Sequence, residues 1–288
     1  MEIIETIKNS LTIWTKNKET KKIAVILFIL QFGLGLISIG AHAYFLGDAF
    51  SSCCSFDENP FEMSQEKLNV NLMLVPIVLL YSIISLFFYF KIILVALKQF
   101  SVKTPELKTK KFVKAIVAMA VSYFGAIFSV FEKKFLLIPL AIIALVIADF
   151  SVVLPNEFVL PTAFVLGGLL IAYLIVIIRA VVRLVFSVPV ILTSDADIAE
   201  AVSESWKITK GKELKMFIAF ATLIVISSVV SYVFMFIFSN IFQQIGTSNS
   251  VGIAFSILIG LITSAISVWY TVSNNYLIAI FYKELKEN

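Results

Sequence analysis

Histidine occurs once in the 288 residues, at position 42, and arginine twice, at positions 179 and 183. A multi-histidine metal site is excluded, and no H-E-x-x-H, C-x-x-C or Walker pattern points to a metal or other cofactor. Cysteine is limited to the neighbours Cys53 and Cys54. Adjacent residues could close only a strained bridge, so no disulfide framework follows. Charge is scarce too: charged residues are 15% of the chain, against about 25% in soluble globular proteins. Hydrophobic residues are 60%, mean hydropathy is +0.99, and several apolar runs reach the roughly 20 residues that cross a bilayer as helix. A soluble fold is excluded. Helices and short connections leave no room for a catalytic domain outside the membrane.

The charge that is present is unevenly placed. Of 23 basic residues two are arginine, leaving 21 lysines, and the formal net charge of +4 indicates no nucleic-acid partner. Lys8, Lys16, Lys18, Lys21 and Lys22 lie in the polar first 22 residues, before an apolar run from Ile23 to Tyr44. That run is longer than a signal-peptide core, so Ala41-His42-Ala43 is not expected to be cleaved. The next loop carries Asp48, Asp57, Glu58, Glu62 and Glu66 against Lys67, whereas Lys98 to Lys114 holds six lysines and Glu106. Lysine bias puts the N-terminus and the 98–114 loop inside, and the acidic loop outside.

Further runs extend from Asn71 to Leu97, Phe112 to Phe131, Val159 to Leu192, Leu214 to Asn240 and Val251 through Tyr282. Phe135 to Phe150 is short for a span, and a non-crossing segment there keeps Lys207, Lys210, Lys212 and Lys215 inside. The expected fold is all-α: a polytopic transmembrane bundle of six spans plus one short re-entrant or interfacial segment, with amphipathic cytoplasmic helices. Residues 1–22 form a cytoplasmic amphipathic segment, 23–282 a single membrane domain and 283–288 a cytoplasmic tail. Gly252, Ser256, Gly260 and Ser264 put small side chains on one helix face, suited to close packing in the bundle or to a homodimer.

Residues 194–211 read as a short interfacial helix. Ser194 and Asp197 suggest a capping box, acids fill the first turn, lysines the last, and Gly211 stands where a left-handed cap belongs. Ile198, Ala201, Val202 and Ser205 share one face, with Trp206 at its edge. Glu5, Ile7, Ser10 and Ile13 repeat the spacing of Glu200, Val202, Ser205 and Ile208, so an amphipathic helix is expected before the first span as well.

Arg179 and Arg183, then Phe186, Pro189 and Ile191, then Glu200-Ala201-Val202-x-x-Ser205-Trp206-x-x-Thr209-x-Gly211 resemble the pattern of one family. It is the membrane domain attached to some glycerophosphodiester phosphodiesterases, with related multi-span proteins. Val202 stands where leucine is commoner. The resemblance, close over about residues 179–220, implies a six-helix membrane domain with this helix on the cytoplasmic side. It does not imply phosphodiesterase activity, which belongs to a separate metal-dependent barrel.

Catalytic groups are thin. His42 reads as an interfacial residue, and Asp149 with Glu157 as an exposed acid pair. Lys91, Arg179 with Arg183, and Asn274 with Asn275 interrupt three runs at similar depth. Arg179 and Arg183 project from one helix face, so with Lys91 and Asn275 they are the candidate site for an anionic lipid headgroup. Ordinary snorkelling of long cationic side chains is the plainer reading. The sequence therefore favours a non-catalytic scaffold or accessory protein in the cell membrane, both termini cytoplasmic, engaging lipids or a membrane-protein partner. A small transporter or lipid translocase is the alternative.

Overall fold

The computed structural model describes residues 3–46, 65–128, 156–245 and 250–287. All regular structure among them is helical: α1 Ile3–Thr12, a 3-10 turn Ile13–Lys16, α2 Lys18–Leu46, α3 Gln65–Gln99, α4 Thr109–Phe128, α5 Asn156–Leu184, α6 Ser187–Thr193, α7 Ile198–Ile208, α8 Glu213–Ile245 and α9 Ser250–Glu287. Five stretches among the described residues are long and apolar enough to cross a membrane: Lys18–Ile37, Leu74–Gln99, Ile171–Thr193, Glu213–Phe238 and Ile257–Glu287. The expected third run is present as helix in α4 up to Phe128. The segment expected not to cross, 135–150, lies outside the described residues, as do Cys53, Cys54 and the side chains of His42, Asp149 and Glu157.

The apolar run Val159 to Leu192 supplies the candidate span Ile171–Thr193, within which α5 ends at Leu184 and α6 begins at Ser187. Pro189 explains the break: its ring would clash with the carbonyl four residues earlier, at Val185, and it has no N–H to continue the ladder. It is accommodated instead in the first turn of α6. One expectation needs correction: the cap of α7 sits three residues later than the Ser194 start. Asp197 is the N-cap, and its backbone N–H donates to the Glu200 carboxylate at 3.0 Å in a reciprocal capping box. Ser194 instead ends α6, its hydroxyl donating to the Val190 carbonyl at 2.7 Å. At the C-terminus, residues 283–287 continue α9 as helix. At 38 residues α9 is about 57 Å long, well beyond the roughly 30 Å hydrocarbon core.

The chain divides into two compact units. In the first, residues 1–99 and 220–277, a polar knot ties three helices. Asn17 caps α2 by accepting from the backbone N–H groups of Glu19 and Thr20. Its amide also donates to Gln99 at 3.1 Å, and Tyr276 donates to the same Gln99 oxygen at 2.9 Å while sharing a 2.8 Å bond with Thr20. Phe90, Ile93, Leu97 and Leu223 are buried in the same unit. The small-residue face is used where it is described: a Cβ at Gly260 would stand 3.7 Å from the Phe32 ring, and Ser264 is buried. Of Gly252 and Ser256 only the helical backbone is described.

The second unit, residues 100–219 and 278–288, gathers α4 to α7 around Phe186, Val190, Ile191 and Leu192, all buried. Ser122 and Ser187 share a buried hydrogen bond of 2.8 Å, and Thr193 shares one of 2.7 Å with Tyr282. In the part of α8 that belongs to the first unit, Val225, Val229, Val233 and Phe236 are exposed. Apolar side chains in that state on a 33-residue helix are stable against lipid, not water.

Candidate functional site

Two of the four candidate residues, Arg179 and Arg183, lie in the second unit at the end of α5, with motif residues of α7 beside them. Arg183 is buried, only 7% exposed, and its guanidinium pairs with the Glu213 carboxylate. The Trp206 indole lies against its other side, with the ring centroid 4.5 Å from the guanidinium carbon. A buried arginine is stable only if its charge is balanced, and a carboxylate with an aromatic face supplies that balance. Arg179, one turn earlier, reaches the same carboxylate at 3.6 Å, yet its side chain is 61% exposed. An apolar hollow of about 350 Å³ opens beside Arg179, walled by Ile175, Ile178, Leu214 and Phe217.

Glu213 was missed by the sequence reading. It follows Arg183 by 30 residues, and its pairing depends on the turn after α7 that brings the start of α8 back to α5. Gly211 makes that turn, with a backbone φ of +80° that favours glycine. An acid at the head of an apolar run, just past a left-handed glycine, was the available signal.

The six motif residues can now be assigned contacts. Glu200 completes the cap, and Ala201 is buried without exposed surface where α7 meets its neighbours. The Ser205 hydroxyl donates to the Arg183 backbone carbonyl, one of the last-turn carbonyls of α5 that have no helical partner. Trp206 packs with Val202 on Ala180 and Leu184. The Thr209 hydroxyl, also buried, donates to the Ser205 carbonyl at 2.7 Å, and Gly211 turns the chain. Four of them, Ser205, Trp206, Thr209 and Gly211, serve the joint between α5, α7 and the start of α8. Glu200, Ser203, Lys207 and Lys210 are left on its exposed face.

Lys91 and Asn275 belong to the first unit. Lys91 is half-buried. Asn275 is fully buried, and neither amide atom has a hydrogen-bond partner among the described residues. A hollow of about 320 Å³ in the same unit has Leu27, Leu86 and Val268 in its lining together with the polar side chains of Gln31, Ser85 and Thr271. Among the described residues no three His, Cys, Asp or Glu side chains gather at metal-binding distance.

Apolar helices of spanning length, joined by a short capped helix across their ends, define an integral membrane domain. The family model for the membrane domain of glycerophosphoryl diester phosphodiesterase matches residues 58–288, and the chain belongs to that family. The match runs well beyond the stretch in which the resemblance was legible by eye. No curated protein and no solved structure matches the chain.

Proposed function

We propose that this chain is a non-catalytic, multi-pass protein of the cell membrane that acts as a scaffold or accessory protein, with both termini in the cytoplasm. One observation carries the reading: four of the motif residues are occupied in building the α5–α7–α8 joint. Ser205, Trp206, Thr209 and Gly211 bond, pack or turn within it, and Arg183 is neutralised by Glu213. Groups held in this way form a rigid mount. What the mount presents is the polar outer face of α7, suited to a membrane partner or to headgroups.

The test is extraction in native lipid particles, with identification of the lipids and proteins that co-purify. Wild type is compared with a Lys207→Glu, Lys210→Glu variant, which alters the outer face and leaves the joint intact. The expected result is a component enriched over bulk membrane and lost in the variant. Identical, bulk-like profiles would count against the reading.

A second reading, a small transporter or lipid translocase, is supported by a largely apolar hollow among spanning helices of the first unit into whose lining hydroxyl and amide side chains are set. Polar side chains are costly at that depth and often mark a path for a polar solute. The Ser85 hydroxyl has no partner among the described residues. Solute uptake into vesicles that is lost on Ser85→Leu would favour transport over scaffolding.

A further inference from the structure

The second unit holds a cavity of about 740 Å³ away from the arginine joint, with one wall from residues 103–108 and the first turns of α4 and the other from residues 191–196. Lys103, Lys108, Lys110, Lys111 and Lys114 all line it. Two of these are held by the fold. Lys111, half-buried, lies 3.0 Å from the Ser194 carbonyl and 3.0 Å from the Asp195 carboxylate. Lys114 lies 3.1 Å from Asp197. Lys103, Lys108 and Lys110 are exposed and make no ion pair among the described residues. Against the five lysines, Glu106 and Asp195 are the carboxylates on the described lining.

Helix electrostatics add to the imbalance. The N-terminus of an α-helix carries about half a positive charge, and acidic residues are the stabilising choice for its first turn. The 20-residue α4 has no acid there. It begins instead with Thr109-Lys110-Lys111, preceded by Lys108. Lysines that served only to fix membrane orientation would need to lie near a span, without converging on one cavity. Asp195 registers the resulting field. Although exposed, its carboxyl is held below the usual aspartate range, first by the hydrogen bond from Lys111 and then by the charges of Lys111, Lys114 and Lys110.

We propose that this groove binds a phosphate group through Lys103, Lys108 and Lys110, carried either by an anionic lipid headgroup or by a soluble phosphorylated compound. From Phe112 onward α4 turns apolar, so the groove stands at the polar end of that helix, the level at which headgroup phosphates lie. Lys111 and Lys114 hold its walls together and are not the binding groups. The site is independent of the joint and of the scaffold reading.

The experiment uses the full chain in phosphatidylcholine nanodiscs, titrated with dihexanoyl phosphatidic acid and, separately, with inorganic phosphate. Saturable binding is expected. Tighter binding of the short-chain lipid identifies a headgroup as the source, and equal affinities identify a soluble phosphate. The Lys103→Gln, Lys108→Gln, Lys110→Gln triple variant should lose at least about tenfold in affinity, and the corresponding triple arginine variant should retain it. Glu106→Gln should tighten binding about two- to threefold, a gain that misfolding cannot produce. Absence of binding by both probes, or equal affinity in wild type and the glutamine variant, would overturn the proposal.

Discussion

Two short amphipathic helices, α1 and α7, each precede a long apolar helix, and they differ in how they are held. Both bury a serine completely, Ser10 in α1 and Ser205 in α7. The Ser10 hydroxyl returns to its own helix, donating to the Ile7 carbonyl at 2.8 Å. The Ser205 hydroxyl crosses to another helix and satisfies the Arg183 carbonyl. Around Ser205 stand a capping box, a buried arginine and an indole; α1 buries Thr6, Ile7 and Ser10 and leaves Ile4 77% exposed. A shared hydropathy pattern thus specifies a helix and its buried face, and in α7 a cross-helix hydrogen bond, an ion pair and an aromatic face are added to it.

The contrast is broken most severely at Glu213. Glu213→Ala leaves the Arg183 charge buried and unpaired, and is expected to cost about 3–5 kcal/mol, read as a lower melting temperature of the solubilised protein. Trp206→Ala removes both the packing on Ala180 and Leu184 and the face against Arg183, at about 3 kcal/mol. The serine pair sharpens the comparison. Ser205→Ala should cost about 1–2 kcal/mol because it leaves an α5 carbonyl unsatisfied, whereas Ser10→Ala should change stability by less than about 0.5 kcal/mol. Denaturation of the two variants in parallel checks the difference.

The smallest effect concerns Asp195, which with Lys111 links α4 to the segment before α7. Because its carboxyl is held low in the folded protein, its contribution is present above the ordinary aspartate pKa and is lost as pH falls through the lowered folded value. Wild type should therefore be slightly more stable than Asp195→Asn at neutral pH, and the two should converge in strong acid. The exposure of Asp195 keeps this difference small. A melting series across pH on both proteins measures it.

Much of the fold was legible because long apolar runs and lysine placement are local signals. The breaks between helices were less so. Pro189 was visible in the sequence, but the run around it was apolar enough to hide the end of α5. The cap of α7 was displaced because Ser194 and Asp197 are both good cap residues, and only the Glu200 carboxylate chooses between them. In the candidate site, Arg183, Ser205 and Trp206 were legible as residues but their partners were not. Glu213 is distant in sequence, and the acceptor for Ser205 is a backbone carbonyl, which no side-chain identity reveals. The lysines of residues 103–114 read as an orientation signal, since their convergence on one groove depends on where residues 191–196 return.

The central claim is that the motif builds a rigid mount, and hydrogen exchange tests it most directly. Full-length protein in nanodiscs would be followed at the amides of α7, Ile198–Ile208, and of α1, Ile3–Thr12, in wild type and Glu213→Ala. The account predicts that α7 exchanges at least about tenfold more slowly than α1 in wild type. It further predicts that Glu213→Ala brings α7 to the rate of α1 without changing α1. Equal rates in wild type, or protection of α7 that survives the loss of Glu213, would contradict it.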